Sequence, residues 1–514
     1  MKKLILITHE YGEEFCTFDS QKCDGQGAPL FHISEDEHKI RIKYGESGEE
    51  FTVRDGSIFK MPPDDRDSDG YRRSARFLGL HPEQQNGSLV LKAHWFVGIT
   101  RLPVEEGEII VQVKPKIENL DLTEMFMNVL SHPVVSAHFR IGDAFHIDID
   151  EEPIEMEEVP REYLLFLALQ YMYVLNNLVK RGLQKGYRRK EENLRGRVRG
   201  RILVGRTVRE NWSRGRKHYV YSSFMEYSAD NLENRILKAA FLKARSYLFH
   251  NNVIHNTLAA WIGRISLDME QVATTRIYPS DFSLTNVQRI RRDYDDALKL
   301  AKIILRHLGY DPTVKTDIEK SLRKVHPYWI DMNELFERYV EVELRRNGIK
   351  GLENWQVFPG YGRGEGINIK EEVLEIIEGS GKKIKELRPD FVLIKDRDKD
   401  REVIIGDAKY KEDYKEGWIK EDLQQIALYG RIKWNKIKEW IEKNFGQSID
   451  IERNNQKNNK DCPGLEPELY IFYPCTGNCK KEPDEGKGQE FPFRGIHKVG
   501  VKVPIEGKSQ EKSQ

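Results

Sequence analysis

The hydrophobic pattern changes its period twice along these 514 residues, which constrains the fold more than any other feature. Up to about residue 155, short apolar runs alternate with turn residues and predict β-strands: LILI, KIRIKY, EFTV, SLVLKAHWFVGI and EIIVQVKPKI. From about 160 to 325 the period becomes helical, and after 326 helices and strands alternate. A chain of this length exceeds a single core, so we expect a multidomain α+β protein.

These patterns also predict where the domains begin and end. A β-rich acidic domain is expected over 1–155, a helical basic middle domain over 156–325, and an α/β domain with a mixed sheet over 326–506. Residues 507–514, GKSQEKSQ, are expected to be a disordered tail. The predicted helices are 161–181, 231–249, 285–308, 331–348 and one from about 418, and the predicted strands after 326 are 387–395, 402–411, 468–474 and 497–505.

No apolar run is long enough to predict a membrane span. The nearest, 163–179, is interrupted by Gln170, Asn176 and Asn177, so we interpret it as a buried helix. The N-terminus, MKKLILITHEYGEEF, meets acidic residues soon after a short apolar run and predicts a strand instead of a signal peptide. We therefore expect a cytoplasmic protein without a membrane partner.

Cysteine usage does not indicate a disulfide framework, because five cysteines are spread over a long chain without a signal peptide. Cys462, Cys475 and Cys479 lie near one another in sequence, with Cys475 and Cys479 in PCTGNC. We predict isolated thiols there, with a zinc or iron–sulfur site as the alternative.

Charge is distributed unevenly although the formal net charge is zero. Residues 1–160 hold 17 Lys+Arg and 31 Asp+Glu, a balance of −14, which leaves +14 for the remainder. An acidic first third suits a protein partner better than a DNA backbone. The stretch 180–217 contains 15 basic and 3 acidic residues. It predicts a phosphate-binding surface, and a solvated face or a surface packed on acidic neighbours is the alternative.

Four arginines alternate within this basic stretch, in LRGRVRGRI. If the segment is one strand, all four lie on the same face, near DNA or near an acidic surface of a partner. The predicted DNA-binding residues are Arg195, Arg197, Arg199 and Arg201.

Charged residues of both signs follow the strand-like run of VIIGDAKYK (403–411). Asp407 and Lys409 share a strand face, and Asp390 opens the preceding strand in RPD. If the two strands pair as a hairpin, Asp390 and Asp407 converge at one sheet edge. Two carboxylates there predict a Mg²⁺ site, for which Mn²⁺ is expected to substitute. Lys409 would orient the attacking water and stabilise charge that develops on the phosphorane.

This arrangement resembles the PD-(D/E)xK nuclease superfamily, in which an acidic residue from an earlier helix often joins the metal site. The position in LFERYV that matches is Glu337, with Glu334 as the second choice. EDLQQIALYG resembles the Gln-bearing helix of that superfamily, which implies a role for Gln425 together with Tyr429. An exposed helix charge is the alternative for Glu337, and a surface or capping amide is the alternative for Gln425.

A wider set of motifs resembles McrC, the nuclease subunit of McrBC-type restriction systems, over about residues 90–475. The motifs are VGITRLPVEEGEIIVQVKPKI, LRGRVRGRI, FMEYSADNLENRILKAA, DMNELFERYV and DAKY with KEDLQQIALY. The resemblance implies an antiviral type IV endonuclease that acts on modified double-stranded DNA of the 5-methylcytosine type. It also implies that the N-terminal region docks on an AAA+ GTPase hexamer, whose GTP hydrolysis the subunit stimulates.

Nucleotide hydrolysis is not expected from this chain itself. No G-x-x-x-x-G-K-[ST] loop is present, and GYGRGEG (360–366) lacks the lysine and the strand context. Two alternatives to the partner-dependent endonuclease remain. One is a RecB- or Cas4-like exonuclease with a cysteine-bound cluster, and the other is a non-catalytic adaptor that only stimulates a GTPase.

Overall fold

The computed structural model describes most of the chain, and every structural statement below concerns the described residues. They are 3–9, 16–17, 31–36, 39–44, 49–52, 78–85, 88–102, 104–139, 141–156, 159–251, 253, 256–283, 292–308, 324–349, 351–360, 367–368, 386–397, 400–411, 425–426, 429, 434–445, 467–476 and 496–506. The tail 507–514 lies outside them. The chain falls into two compact units: a split unit of Met1–Asp148 with Pro327–Gln514, and an inserted unit of Ile149–His326.

The split unit contains a six-stranded sheet in the order β10-β16-β8-β9-β1-β2. Its strands are β1 (Lys3–His9), β2 (Cys16–Thr17), β8 (Phe96–Leu102), β9 (Glu108–Lys114), β10 (Phe145–Ile147) and β16 (Tyr328–Asp331). β1 runs parallel to β9, while β8 runs antiparallel to both β9 and β16. The chain therefore returns to this sheet directly after the inserted unit.

A second N-terminal sheet is antiparallel, in the order β5-β4-β3-β7-β6. Its strands are β3 (Phe31–Asp36), β4 (Lys39–Tyr44), β5 (Glu49–Thr52), β6 (His81–Gln85) and β7 (Ser88–Lys92). Three helices that the strand pattern does not predict follow β9: α1 (Leu122–Ser131), α2 (Pro133–His138) and α3 (Ile141–Ala144). The Asp121 carboxylate caps α1 by accepting the Glu124 N–H at 2.8 Å.

The inserted unit combines a helical core with a small sheet. Its helices are α4 (Arg161–Lys180), α5 (Val204–Glu210), α6 (Leu232–His250), α7 (Asn256–Asp268) and α8 (Arg292–Leu308), with 3₁₀ turns at Trp212–Arg214 and Pro279–Ser283. Of the seven residues that the helical period places on one face of α6, Leu232 is half-buried and the other six are buried: Ile236, Leu237, Ala240, Phe241, Ala244 and Leu248. The strands are β12 (Gly186–Arg195), β13 (Arg201–Ile202) and β14 (Tyr219–Ser228), with β11 (Ile154–Glu155) paired to β15 (Lys324–Val325).

The C-terminal part of the split unit holds a mixed sheet in the order β17-β20-β21-β22-β23. Its strands are β17 (Gln356–Pro359), β20 (Phe391–Arg397), β21 (Asp400–Ala408), β22 (Glu468–Cys475) and β23 (Ile496–Lys502), and a separate pair is formed by β18 (Ile367–Asn368) and β19 (Glu386–Leu387). β20 is antiparallel to β17 and β21, whereas β22 is parallel to β21 and β23. The expectation of a mixed sheet is confirmed.

Two helices accompany this sheet, α9 (Met332–Arg345) and α10 (Trp434–Phe445), and residues 425–426 and 429 are also helical. Alternate positions of the strands form one apolar face with these helical residues: Phe358, Val392, Ile394, Val403, Ile405, Ile426, Tyr429, Ile437, Trp440, Ile441, Leu469 and Ile471. The described chain is thus a multidomain protein of mixed α and β structure. Among its described helices, none combines the length and apolarity needed to span a membrane.

Candidate active site

The candidate site lies where β20 begins and β21 ends. The two strands form the expected antiparallel hairpin, with Phe391 opposite Gly406. A Cβ on residue 406 would come within 2.5 Å of the Phe472 ring on β22. Glycine at this position therefore lets the neighbouring strand cover the hairpin closely. Asp390 and Asp407 follow this pair at the same end of the two strands.

The Asp390 carboxylate reaches the strand that carries Asp407, at one end of the hairpin. Asp390 accepts a hydrogen bond through Oδ2 from the Ala408 N–H, at 2.7 Å. Asp407 lies on the same strand face as the buried residues Val403 and Ile405, and it is only 2% exposed. Burial of a carboxylate costs free energy unless a charge or hydrogen bonds compensate it. The surroundings of Asp407 must therefore supply positive charge, hydrogen bonds or both.

Lys409 supplies this charge and links Asp407 to the helical residues. Its Nζ lies 2.8 Å from Oδ2 of Asp407 and donates to Oε1 of Gln425 at 3.0 Å. The Gln425 Nε2 donates in turn to the Tyr429 hydroxyl at 3.0 Å, and that hydroxyl donates to the Arg388 carbonyl at 3.1 Å. The amide of Gln425 is thus bound on both sides, although the residue itself is exposed.

The Tyr429 phenol lies among three acidic side chains. Burial raises its pKa well above the usual range, and the negative charges of Asp407, Asp390 and Glu337 raise this pKa further. Glu337 is 8% exposed on α9, so the alternative of an exposed helix charge is wrong. Glu337, on the earlier helix α9, thus acts electrostatically on the same Tyr429 hydroxyl as the two aspartates.

Glu334, the second choice on the same helix, is engaged elsewhere. Its carboxylate forms an i,i+4 ion pair with Arg338, which is 5% exposed. Its backbone N–H is bonded to the Asp331 carboxylate, which caps α9. These contacts give Glu334 a clear role in helix stability and in compensating a buried guanidinium.

Lys116 contacts Tyr410, the residue that follows Lys409, although no sequence motif points to this lysine. Its Nζ donates a hydrogen bond to the carbonyl of Tyr410 and lies 4.3 Å from the centroid of the Tyr410 ring. Tyr410 is 1% exposed and its ring lies 5.5 Å from that of Phe336 on α9. The residue after Lys409 is therefore fixed from the N-terminal part of the split unit. The motif VQVKPKI gives no local signal of this long-range contact.

The four alternating arginines do not lie on one strand face, so that prediction is wrong. β12 ends at Arg195 and β13 begins at Arg201, and the segment between them is a turn. Gly196 and Gly200 have φ angles of 65° and 66°, a left-handed conformation that favours glycine. All four arginine side chains are nevertheless exposed: Arg195, Arg197, Arg199 and Arg201.

The region of the inserted unit that contains this arginine turn (residues 195–201) also exposes large apolar side chains. The Arg199 guanidinium stacks on the Phe224 ring at 4.2 Å, and the Tyr187 and Tyr227 rings pair across β12 and β14 at 5.0 Å. Several large apolar side chains between 187 and 227 are exposed: Tyr187, Val198, Ile202, Val204, Val208, Trp212, Met225 and Tyr227. Such a concentration of exposed apolar side chains is typical of an interaction surface.

Cys475 ends β22 and is disulfide-bonded, so the prediction of an isolated thiol is wrong for this residue. A disulfide depends on the approach of two Cβ atoms, which cysteine spacing alone does not report. A sulfur in a disulfide is not a thiolate ligand, which weakens the alternative of a cysteine-bound cluster. Cys462 and Cys479 lie outside the described residues.

Comparison with known proteins assigns the family. A family model described as the McrBC 5-methylcytosine restriction system component matches residues 91–440, and the chain belongs to this family. A search of curated proteins finds no match.

Two solved structures from Thermococcus gammatolerans are similar to the chain. The first is a half-complex of a tetradecameric assembly of McrB AAA+ hexamers with bound McrC, at 17% identity, 87% coverage of this chain, 86% coverage of that chain and a TM-score of 0.32. The second is a cryo-EM structure of the McrBC complex, at 17% identity, 56% coverage of this chain, 75% coverage of that chain and a TM-score of 0.25. TM-scores this low do not by themselves define a shared fold.

Proposed function

We propose that this chain is the DNA endonuclease subunit of a modification-dependent, type IV restriction complex. It hydrolyses phosphodiester bonds in double-stranded DNA that carries a modification of the 5-methylcytosine type. The reaction uses Mg²⁺ in a PD-(D/E)xK site. The observation that carries the proposal is the convergence of Asp390, Asp407 and Lys409 at one end of the β20–β21 hairpin. Membership of the restriction family supports the same function.

The donor set of the site fits Mg²⁺. Asp390 and Asp407 would hold the ion, with Glu337 as the third acidic residue. Within the described part of the chain, no group of three or more His, Cys, Asp or Glu side chains lies close enough together to hold a metal ion. Mg²⁺ usually needs only one or two carboxylates, because waters and substrate phosphates complete its coordination. A bound Mg²⁺ would polarise a phosphoryl oxygen and lower the pKa of a coordinated water, and Mn²⁺ would substitute for it.

Lys409 would act on the water and on the phosphoryl group. Asp407 and Gln425 hold its ammonium by two contacts, at 2.8 and 3.0 Å. A fixed ammonium can orient the attacking water and stabilise negative charge that develops on the phosphorane oxygens. A preorganised group of this kind is commonly worth a factor of about 10² to 10³ in rate.

The proposed complex includes an AAA+ GTPase hexamer similar to McrB. The solved McrC chain that is similar to this one is bound to McrB AAA+ hexamers. The sequence lacks a P-loop motif, so GTP hydrolysis would come from the partner, and this chain would stimulate it without binding nucleotide. A cytoplasmic location belongs to the same proposal.

The docking surface for this partner is assigned to residues 1–155 because of their acidic charge. Deletion of this region is a poor test, since β8 pairs with β16 and Lys116 contacts Tyr410. The exposed apolar side chains between residues 187 and 227 favour a protein contact on the inserted unit as well. Charge substitutions within each surface would separate the two.

DNA contact is proposed for the arginine turn, through Arg195, Arg197, Arg199 and Arg201. Exposed guanidinium groups can neutralise phosphates without reading the base sequence. A protein contact at this turn is the competing outcome, and the salt dependence of DNA binding distinguishes the two.

The test of the proposed function is a cleavage assay with the full chain and its AAA+ partner. Two plasmids of identical sequence, one with 5-methylcytosine and one without, are incubated with GTP and either Mg²⁺, Mn²⁺ or EDTA. We expect cleavage only of the methylated plasmid, only with partner and GTP, and only with a divalent cation. Stimulated GTP hydrolysis without cleavage under every condition would contradict the nuclease assignment and favour the adaptor.

A further inference from the structure

A continuous chain of hydrogen bonds runs from the candidate catalytic carboxylate to a backbone carbonyl. It passes from Asp407 to Lys409, then to Gln425, then to Tyr429, and ends at the carbonyl of Arg388. The four distances are 2.8, 3.0, 3.0 and 3.1 Å. Each distance lies within the normal range for a hydrogen bond or a close ion pair.

The Arg388 carbonyl fixes which group donates and which accepts in every hydrogen bond of this series. The Arg388 carbonyl can only accept a hydrogen bond, so the Tyr429 hydroxyl must donate its single proton to this carbonyl. The phenol oxygen then offers only lone pairs to Gln425, which must turn its Nε2 towards Tyr429. The Gln425 Oε1 is left facing Lys409, whose ammonium can only donate.

The environment of Tyr429 keeps this direction constant. Tyr429 is 2% exposed and packs in the apolar cluster on the sheet. Its pKa is raised by burial and then by the charges of Asp407, Asp390 and Glu337, so the hydroxyl keeps its proton at physiological pH. Gln425, by contrast, is exposed, and its amide is held by hydrogen bonds to Lys409 and Tyr429.

We propose that Tyr429 is a positioning residue that acts through Gln425: its hydroxyl fixes the orientation of the Gln425 amide, and the amide oxygen holds Lys409 beside Asp407. This inference rests on the proposed function, because Lys409 matters only if the site performs hydrolysis. Without the hydroxyl, the Gln425 amide is free to rotate and can present its NH₂ group to the ammonium. Lys409 then loses an acceptor and faces a donor.

The first test is a double-mutant cycle on the full chain with its partner and methylated plasmid. Tyr429→Phe removes only the hydroxyl and should lower kcat by about 10-fold with KM unchanged, a loss typical of one misdirected hydrogen bond. Gln425→Ala should lower kcat similarly. If Tyr429 acts through Gln425, the double variant should match Gln425→Ala alone. Losses that multiply, or wild-type cleavage by Tyr429→Phe, would overturn the inference.

The second test restores an acceptor that does not depend on orientation. A carboxylate accepts through both oxygens, so Gln425→Glu needs no hydroxyl to direct it towards Lys409. Tyr429→Phe combined with Gln425→Glu should therefore cleave faster than Tyr429→Phe alone. A purely structural role of Tyr429 would not be rescued in this way, and absence of rescue in the folded double variant would count against the inference.

Two controls separate this inference from the proposed function. Tyr470→Phe removes a hydroxyl that lies 3.3 Å from the Glu468 carboxylate. Tyr470 pairs with Gly406, one position before Asp407, so it belongs to the opposite face of the sheet, and the change should leave kcat unchanged. Lys409→Ala should abolish cleavage whatever Tyr429 does. If Lys409→Ala cleaves like wild type, the proposed function fails. If Lys409→Ala is inactive but the cycle is multiplicative, only the role of Tyr429 fails.

Discussion

Oδ2 of Asp390 accepts a hydrogen bond from the N–H of Ala408 at 2.7 Å, directly beyond the last residue pair of the β20–β21 hairpin. The same carboxylate that would bind the metal ion thus ties the ends of the two strands together. Removal of this side chain would therefore affect the chemistry and the local structure at once, and the two effects need separate variants.

Asp390→Asn is expected to separate these two effects. The amide oxygen can still accept the Ala408 N–H, so the midpoint of thermal unfolding should stay close to that of wild type. The neutral amide is a weak Mg²⁺ ligand, so cleavage should fall by about 10² to 10³. Asp390→Ala should in addition lower the free energy of unfolding by about 1–3 kcal/mol, because the N–H loses its partner. Wild-type cleavage by Asp390→Asn would remove this residue from the metal site.

Glu337 and Glu334 should respond differently to the same conservative change. Glu337→Gln removes the buried α9 charge that acts on Tyr429 together with the two aspartates, and it should lower cleavage while the fold is kept. Glu334→Gln removes the ion pair of the buried Arg338 and should lower the free energy of unfolding by about 2 kcal/mol, with cleavage preserved in the folded fraction. Cleavage rates and urea unfolding of both variants provide the comparison, and an inverted pattern would reassign the third acidic residue to Glu334.

The arginine turn should contribute to the salt dependence of DNA binding if it contacts phosphates. Arg195→Gln combined with Arg197→Gln should reduce the slope of log K against log salt by roughly 0.9 for each lost contact. The matched control, Lys243→Gln with Arg264→Gln, removes two exposed charges from helices of the same unit and should leave the slope unchanged. An equal slope in both double variants would exclude phosphate contact, and loss of GTPase stimulation alone would indicate a partner contact.

His326 should make the inserted unit sensitive to acid. It is 6% exposed, and burial followed by the charges of Arg306 and His307 lowers its pKa to about 4. The unfolded chain takes up this proton near pH 6.5, while the folded state does not. The contribution of His326 to the free energy of unfolding is therefore fully present above about pH 6.5. It decreases by up to about 1.4 kcal/mol per pH unit as the pH falls towards 4.

The comparison for His326 is urea unfolding of wild type and His326→Gln at about pH 7 and about pH 5. Wild type should lose about 2 kcal/mol more than the variant between these conditions. Identical losses would show that the imidazole does not control the acid response of this unit.

Much of the C-terminal architecture can be predicted from local sequence. The apolar runs around Asp390 and Asp407 give the hairpin, and the helical periods give α4, α6 and α9 to within a few residues at each end. These elements are predictable because period and turn chemistry are properties of short segments. The short helices α1 to α3 escape the same analysis, since their apolar positions are few and lie beside strand-like sequence.

Pairing between distant segments cannot be predicted in this way. β16 joins β8 across the whole inserted unit, and Lys116 reaches the Tyr410 carbonyl, yet neither segment carries a local signal of its partner. The arginine alternation predicted one strand, whereas the two glycines of the same motif impose left-handed turns. The resemblance identified Gln425 and Tyr429, but their direction of hydrogen bonding towards Lys409 depends on tertiary structure.

The most direct test of the central claim is cleavage and GTP hydrolysis measured side by side for Asp407→Asn. This change removes the charge of one proposed metal ligand and keeps the size of the side chain, which is buried in the split unit. We predict that cleavage of methylated DNA is abolished, while the variant still assembles with the AAA+ partner and stimulates its GTPase as wild type does. Cleavage at the wild-type rate by Asp407→Asn would contradict the account.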